Sequence, residues 1–219
     1  MNWPYLEIEE LPAILPVFPL AGCLLLPRSE LPLNIFEPRY LAMVDAALAG
    51  DRLIGMIQPQ PSDAVEPNPK LCAVGCVGRI TRFAETGDGR YFISLEGVCR
   101  FRVGQEMQAG HLFRVFTVDF AEFSLDLRPQ AKETGVDRNA VLAALRIYAD
   151  RNGIKVDWQS VANASDEILI NSLSMMSPFG IMEKQALLEA NGLDARAQVL
   201  VAVSERQLAG GDVRHSPLH

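Results

Sequence analysis

Residues 15–40 have the sequence LPVFPLAGCLLLPRSELPLNIFEPRY, in which short apolar runs alternate with prolines. The first run, LPVFPL, contains Pro16 and Pro19, and proline has no N–H to donate to a neighbouring strand. This run is therefore predicted to be an edge strand or the entry strand of a small barrel. Two further short strands are predicted in the same stretch, at Cys23–Leu26 and Leu31–Ile35.

A helix is predicted where this stretch ends. Pro38 suits the first helical position, because its missing N–H would have no partner there in any case. Apolar residues then recur at helical spacing as far as Gly50, where the helix is expected to end.

The residues from here to about Phe120 are predicted to be mostly β. The turn sequence Thr86-Gly87-Asp88-Gly89 supplies the glycines that a tight hairpin requires. Gly75 and Gly78 lie inside a strand-like run, where glycine often marks a bulge or a sharp bend. Several short, bent strands favour a small closed barrel over a flat sheet. These strands are predicted at residues 53–58, 79–85, 90–95, 98–103 and 112–120.

After Glu122 the apolar period changes from that of strands to that of helices. Four helices are predicted, beginning near Asp137, Ser165, Ile181 and Asp194. The predicted fold class is α+β, with a β-barrel that contains one inserted helix, followed by an α-helical bundle. The expected divisions are a barrel at 1–124, a linker at 125–136, a bundle at 137–208 and a flexible tail at 209–219.

Charge and composition exclude several functional classes. The chain has 219 residues and a net charge of −7, which disfavours a general binder of polyanions. The sequence contains no Gly-Lys pair, so it has no phosphate-binding P-loop. No run approaches the roughly 18 apolar residues of a membrane span, and the first residues lack a basic leader. A cytoplasmic location with four reduced cysteines is expected.

No catalytic, metal-binding or cofactor-binding group is predicted. A hydrolytic triad would depend on His111, which lies in a predicted loop without a nucleophile motif. Cys72 and Cys76 lack the matching second pair of a structural zinc site, and small buried side chains are the favoured interpretation. Arg100 and Arg102 share one strand face, where pairing with nearby acids is favoured over nucleic-acid binding.

The motif Pro16-x-Phe18-Pro19-Leu20, followed by Leu33-x-Ile35-Phe36-Glu37-Pro38-Arg39-Tyr40, resembles the opening of the Lon protease N-terminal domain, including its standalone bacterial versions. Gly75-Cys76-Val77-Gly78-Arg79-Ile80 looks like the glycine-containing strand of that family. Gly97-Val98-Cys99-Arg100-Phe101 is similar to its Gly-x-x-Arg-Phe segment, and Lys184-Gln185-Ala186-Leu187-Leu188-Glu189 is similar to its helical Lys-Gln-x-Leu-Leu-Glu stretch. The resemblance covers residues 11–208.

The resemblance implies a PUA-like β-barrel followed by a helical bundle, and a module that recognises proteolysis substrates. It implies neither ATPase nor protease activity, because the chain ends before either domain could begin. The expected partners are unfolded or apolar peptide segments or a protein, with no membrane and no cofactor. The alternatives are an RNA-binding PUA-like module and, more weakly, a small-molecule enzyme that uses the cleft between barrel and bundle.

Two groups of residues are candidates for roles in this module. Within the opening motif, Phe36 is expected to anchor in the barrel, Glu37 to lie near the helix start and Arg39 to pair locally, which makes the motif structural. Tyr40, Arg100 and Phe101 are assigned to the same structural class. A second set of aromatic and methionine side chains is predicted to bind peptides, with a purely structural core as the favoured alternative for its phenylalanines. This set comprises Phe113, Phe116, Phe120, Met175, Met176 and Phe179.

Overall fold

The computed structural model describes residues 5–64, 66, 68–108, 110–128, 135–153 and 155–210. It is a mixed α+β structure with a six-stranded sheet. The strands are β1 (Ile14–Pro19), β2 (Glu30–Ile35), β3 (Leu53–Pro59), β4 (Leu71–Glu85), β5 (Tyr91–Met107) and β6 (Arg114–Asp119). The α-helices are α1 (Pro38–Ala49), α2 (Arg138–Asn152), α3 (Trp158–Asn163), α4 (Asp166–Met176), α5 (Ile181–Glu189) and α6 (Leu193–Gly210). No helix among the described residues is both long enough and apolar enough to cross a membrane.

Five of the strands are paired in a cycle. β1 pairs with β3 in parallel, whereas β3 with β4, β4 with β5, β5 with β6 and β6 with β1 are antiparallel. β2 pairs with the first half of β5, from Glu30 opposite Glu96 to Ile35 opposite Tyr91. One half of each long strand, β4 and β5, therefore belongs to the cycle. The other halves form a separate three-stranded extension with β2.

Glycine in β4 allows a large side chain of β5 to enter the interior. A Cβ atom on Gly75 would lie 2.5 Å from Cζ of Phe101 and 2.6 Å from the carbonyl oxygen of Met56, so no larger residue fits. Phe101 is fully buried, as expected of a structural residue. The register between β4 and β5 shifts between Val77 and Gly78, which confirms the bulge predicted here.

The strand predicted at Cys23–Leu26 is wrong. These residues form no strand, although Leu24, Leu25 and Leu26 are buried. The chain instead reverses direction: the N–H of Arg28 donates to Gly97 O at 2.7 Å, and the N–H of Gly97 donates to Ser29 O at 2.9 Å. A buried segment outside the sheet shows the same run of apolar residues as a buried strand, which explains the wrong prediction.

The chain divides into two compact units. The first contains residues 1–129 and 178–188, and the second contains residues 130–177 and 189–219. The first unit thus includes most of α5, which was predicted to belong to a continuous bundle over 137–208. Half of the predicted linker (residues 129–134) and most of the predicted tail (residues 211–219) lie outside the described residues.

Two buried glutamines attach α5 to the strands of the first unit. The side-chain amide of Gln185 donates to Val74 O of β4 at 3.1 Å. The side-chain amide of Gln58 in β3 donates to Ile181 O at 3.1 Å and to Oε1 of Gln185 at 3.3 Å. Because buried amides need such partners, these bonds fix the position of α5 on the sheet.

The second unit is helical, and its described residues contain α2, α3, α4 and α6. With α5, five α-helices follow the strands within the described residues, rather than the four helices predicted. The short helix α3 was missed because its six residues include no fully buried side chain and hence no apolar period. Its start is marked by Asp157, whose carboxylate accepts from the N–H groups of Gln159 and Ser160.

Candidate functional site

Arg100 is buried in the first unit and bound on several sides. Its Nε and Nη2 donate to the two carboxylate oxygens of Asp126 at 2.8 Å each, and its Nη1 donates to Leu188 O at 3.1 Å. The guanidinium carbon lies 4.7 Å from the ring centroid of Phe123. Both charged side chains are about 7% exposed, so this pair has no access to a ligand. Arg100 therefore joins β5 to the segment around Asp126 and to the end of α5.

Four of the five residues of the opening motif lie at the start of α1. Glu37 precedes α1, Pro38 is its first residue, and Nε of Arg39 donates to Oε2 of Glu37 at 3.0 Å. Tyr40 is buried, with its ring centroid 4.1 Å from that of Phe18. The expected anchoring of Phe36 is wrong, because 60% of this side chain is exposed. Phe36 directly follows Ile35, the last residue of β2, and its ring lies outside the core.

Three of the predicted peptide-binding residues are in the interior. Phe116, Phe120 and Phe179 are each buried, and Phe120 packs edge-on against Phe101 with ring centroids 6.3 Å apart. For these three, the structure favours the core alternative over a binding surface. Each phenylalanine lies where the apolar period continues, and the sequence contains no signal that distinguishes a filled interior from an open groove.

The two predicted methionines lie in the second unit, at the end of α4. Met176 is 83% exposed and Met175 is half-buried, so Met176 presents its thioether to solvent. A flexible, exposed methionine is suited to contact varied apolar partners.

Phe113 lies in a shallow groove of the first unit with a volume of about 220 Å³. Its ring stacks on that of His111, with centroids 4.8 Å apart and planes 6° from parallel. The groove combines apolar side chains with one carboxylate, that of Asp51. Its other lining residues are Pro12, Ile14, Leu15, Pro16, Ala46, Ala47, Leu53 and Val115.

The largest concentration of exposed aromatic side chains in the first unit lies on the extension formed by β2 and the ends of β4 and β5. We call residues 30–36, 82–85 and 90–92 the aromatic arm. Phe36, Phe92 and Phe83 in this arm are 60%, 52% and 44% exposed. Sequence reasoning assigned Phe36 to the core and overlooked the other two, since single phenylalanines in strands are usually half-buried.

The aromatic arm carries an exposed phenylalanine on each of its two faces. Phe92 lies opposite Asn34 of β2 and Ala84 of β4, so it points to the same side as they do. Phe83 lies opposite Ile93, which points to the other side, and its ring meets that of Tyr91 edge-on at 5.0 Å. A protein seldom leaves clustered aromatic side chains in water unless they contact a partner.

Two thiols and one lysine of the first unit have pKa values shifted by burial. Burial raises the pKa of Cys23 to about 11 and that of Cys99 to about 12, so both thiols stay protonated and unreactive at neutral pH. Burial lowers the pKa of Lys184 to about 8. Within the described residues, no group of three His, Cys, Asp or Glu side chains could hold a metal ion.

Comparison with known families gives a match to the ATP-dependent protease La (LON) substrate-binding domain over residues 14–203. The chain belongs to this family. The residues matched include every strand and all but the last helical turns of the fold described above. The family resemblance noted in the sequence is thereby confirmed.

The chain is similar to part of two bacterial Lon proteases. It is 28% identical to Lon protease 2 of Sorangium cellulosum over 88% of this chain and 24% of the relative. It is 27% identical to Lon protease of Flavobacterium johnsoniae over 86% of this chain and 23% of the relative. The chain thus spans about a quarter of the length of these curated relatives.

Solved structures show the same fold. The Lon N-terminal domain protein from Xanthomonas campestris matches with a TM-score of 0.60 at 22% identity, covering 86% of this chain and 97% of that one. The N-terminal domain of Mycobacterium avium complex Lon protease matches with a TM-score of 0.62 at 17% identity, covering 88% and 98%.

Proposed function

We propose that this chain is a non-enzymatic module that binds exposed apolar segments of polypeptides, and that the aromatic arm is its main binding surface. The observation that carries the proposal is the exposure of Phe36, Phe83 and Phe92 on one extension of the sheet. An unfolded polypeptide offers the apolar side chains that these rings would cover. Phe113 and Met176 are proposed as secondary contacts.

The family supports this choice of ligand, because its model describes a substrate-binding domain of an ATP-dependent protease. We propose a PUA-like barrel for the first unit, supported by the closed cycle of strand pairs, and a helical bundle for the second. The role within protein quality control and the cytosolic location are parts of the same proposal. Free cysteines support a reducing compartment.

The charge distribution favours polypeptide over RNA. Several arginines on the strands have acidic partners: Nε of Arg102 donates to Glu122 at 2.8 Å, and Nη2 of Arg114 donates to Glu106 at 2.7 Å. Guanidinium groups engaged in this way add little to a phosphate-binding surface. A titration with single-stranded RNA at several salt concentrations is expected to show no binding, and tight, salt-dependent binding would replace the present proposal.

The experiment that tests the proposal measures binding of an unfolded protein. Reduced and carboxymethylated α-lactalbumin is expected to bind the wild-type chain, and Phe92→Ser is expected to weaken this binding about tenfold through lost apolar contact. Leu125→Ser is the matched control, because Leu125 is 69% exposed and therefore equally dispensable for folding. Leu125 is next to Asp126 in the chain, and Asp126 binds Arg100. Arg100 is eight residues from Phe92 along β5, a distance of about 27 Å.

The outcomes separate the possibilities. Equal affinity for wild type, Phe92→Ser and Leu125→Ser would remove the aromatic arm from the binding surface. Absence of any binding by the wild-type chain would contradict the proposed function itself. The same preparation is expected to hydrolyse neither ATP nor casein above background, and turnover that follows the purified protein would contradict the non-enzymatic assignment.

A further inference from the structure

β2 is the one strand of the described sheet that has a neighbour on a single side. It pairs with β5, and no other described strand pairs with it. Its register with β5 runs without a shift from Glu30 to Ile35, so its backbone groups alternate regularly between β5 and the free edge.

The direction of each backbone group follows from hydrogen bonds at one end of this pair. The N–H and C=O of Gly97 bond Ser29 and Arg28, so odd-numbered residues of β5 face β2. Consistently, the carbonyl of Ser94 faces β4, where it accepts from the hydroxyl of Thr81 at 3.2 Å. Leu31, Leu33 and Ile35 are opposite Leu95, Ile93 and Tyr91, and they therefore form the hydrogen-bonded pairs.

It follows that Glu30, Pro32 and Asn34 direct their backbone groups to the free edge. Pro32 fits this position, because its missing N–H removes no bond to β5. The edge thus presents three carbonyl oxygens and two N–H groups, those of Glu30 and Asn34. All three residues are exposed.

Apolar side chains lie at this edge on one face of the sheet and near it on the other. Leu31 and Leu33 are only partly covered on one side, and Phe92 lies opposite Asn34 on the other. Phe36 follows directly after the strand and is mostly exposed. A strand added here would pair its backbone with β2 and place alternate side chains beside Leu31 and Leu33 on one face of the sheet.

We propose that the free edge of β2 binds an apolar polypeptide segment in extended form, as an additional strand of the sheet. The inference rests on the proposed function and specifies how that substrate is held: by backbone bonds that are independent of sequence, with selection for β-branched and aromatic side chains. Recognition of this type suits a module that must accept many different unfolded chains.

Pro32 also argues for a foreign strand over a second copy of this chain. If two β2 strands paired antiparallel about Pro32, both central residues would be prolines, and both hydrogen bonds at the centre would be missing. A bound peptide restores one of them, since its own N–H donates to the carbonyl of Pro32. Edge prolines commonly suppress self-association in this way.

Two variants of β2 test the backbone contact. Asn34→Pro removes the N–H that faces the free edge and leaves the bonds to β5 intact, whereas Asn34→Ala changes only the side chain. With a fluorescent ten-residue peptide of valine, phenylalanine and threonine with terminal lysines, Asn34→Pro is expected to bind about fivefold more weakly. Asn34→Ala is expected to bind as wild type does. Equal affinity of the two variants would overturn strand addition.

A variant with the opposite expected effect makes the test independent of whether Asn34→Pro folds. Pro32→Ala adds an N–H at the centre of the edge and is expected to bind the peptide about fivefold more tightly. Unchanged or weaker binding by Pro32→Ala would contradict the inference.

N-methylated peptides separate this inference from the proposed function. Methylation of alternate residues leaves one peptide edge able to pair and is expected to be tolerated, whereas methylation of consecutive central residues is expected to abolish binding. Equal binding of both peptides would overturn strand addition while the proposed function stands, and failure of the unmethylated peptide to bind would contradict both. Sedimentation is expected to show a monomer, and a dimer that Asn34→Pro dissociates would assign the edge to a second copy.

Discussion

Arg100→Met is expected to be strongly destabilising, although Arg100 contacts no ligand. The substitution removes both side-chain bonds to Asp126 and the bond to Leu188 O, and it leaves the carboxylate of Asp126 buried. The backbone N–H of Arg100, at 3.0 Å, remains as a donor to that carboxylate. One neutral donor does not replace a bidentate guanidinium.

The expected loss is about 3 to 5 kcal/mol, because removing one member of a buried ion pair leaves an uncompensated charge. Replacing both partners by apolar side chains is expected to lose much less. Arg100→Met with Asp126→Leu should recover at least about 2 kcal/mol relative to Arg100→Met alone, since no charge is then left buried.

Urea unfolding followed by circular dichroism measures these differences. With a slope of about 2 kcal/mol per molar urea, the single variant should shift the midpoint down by about 2 M, and the double variant by clearly less. A single variant within about 1 kcal/mol of wild type would refute the reasoning. A double variant as unstable as the single one would show that packing, and not the charge of Asp126, determines the loss.

Three further predictions concern stability. Gly75→Ala should destabilise by about 2 to 3 kcal/mol in the same assay, because its methyl group would overlap the ring of Phe101. Gly87→Ala should be near neutral, since a Cβ there meets no atom within 4 Å. Burial lowers the pKa of Lys184 from 10.5 to about 8, so between these pH values the unfolded chain binds more protons and stability should rise with pH. Lys184→Met should abolish about 1 kcal/mol of this rise between pH 8 and 9, and an unchanged pH slope would contradict the assignment. Asp137→Ala removes the carboxylate that accepts from the N–H of Ala140 at the start of α2. The free energy of unfolding, measured by thermal unfolding, is expected to fall by about 1 kcal/mol. An unaltered midpoint would exclude a capping role.

Much of the fold follows from local sequence signals. Pro38 begins α1 as predicted, and the glycines at 86–89 form the turn between β4 and β5. The shift at Gly78 also agrees with the predicted bulge. Proline is preorganised for the first helical position, and Gly89 has a φ of +79° that other residues rarely adopt, so single residues were sufficient to predict the helix start and the turn.

Features that depend on distant partners could not be predicted in this way. Nothing near Gln185 indicates that its amide bonds Val74, 111 residues earlier in the chain, and α5 was therefore assigned to a continuous bundle. The burial of Phe179 has the same origin. Helical period predicts that a segment is a helix, but the sheet against which the helix packs is determined by side chains elsewhere.

The candidate site was missed for a related reason. The sequence motifs contain residues that make contacts within the fold: Arg100 binds Asp126, Arg39 binds Glu37, and Gln185 binds Val74. Internal contacts of this kind need particular residue types at particular places and therefore produce recognisable motifs. A surface that binds many unfolded chains has no such requirement, because backbone groups at a sheet edge and any exposed aromatic ring can supply the contacts. Of the exposed phenylalanines of the aromatic arm, Phe83 and Phe92 accordingly lie outside every motif, and the exposure of these rings on one extension is visible only once the strands are paired.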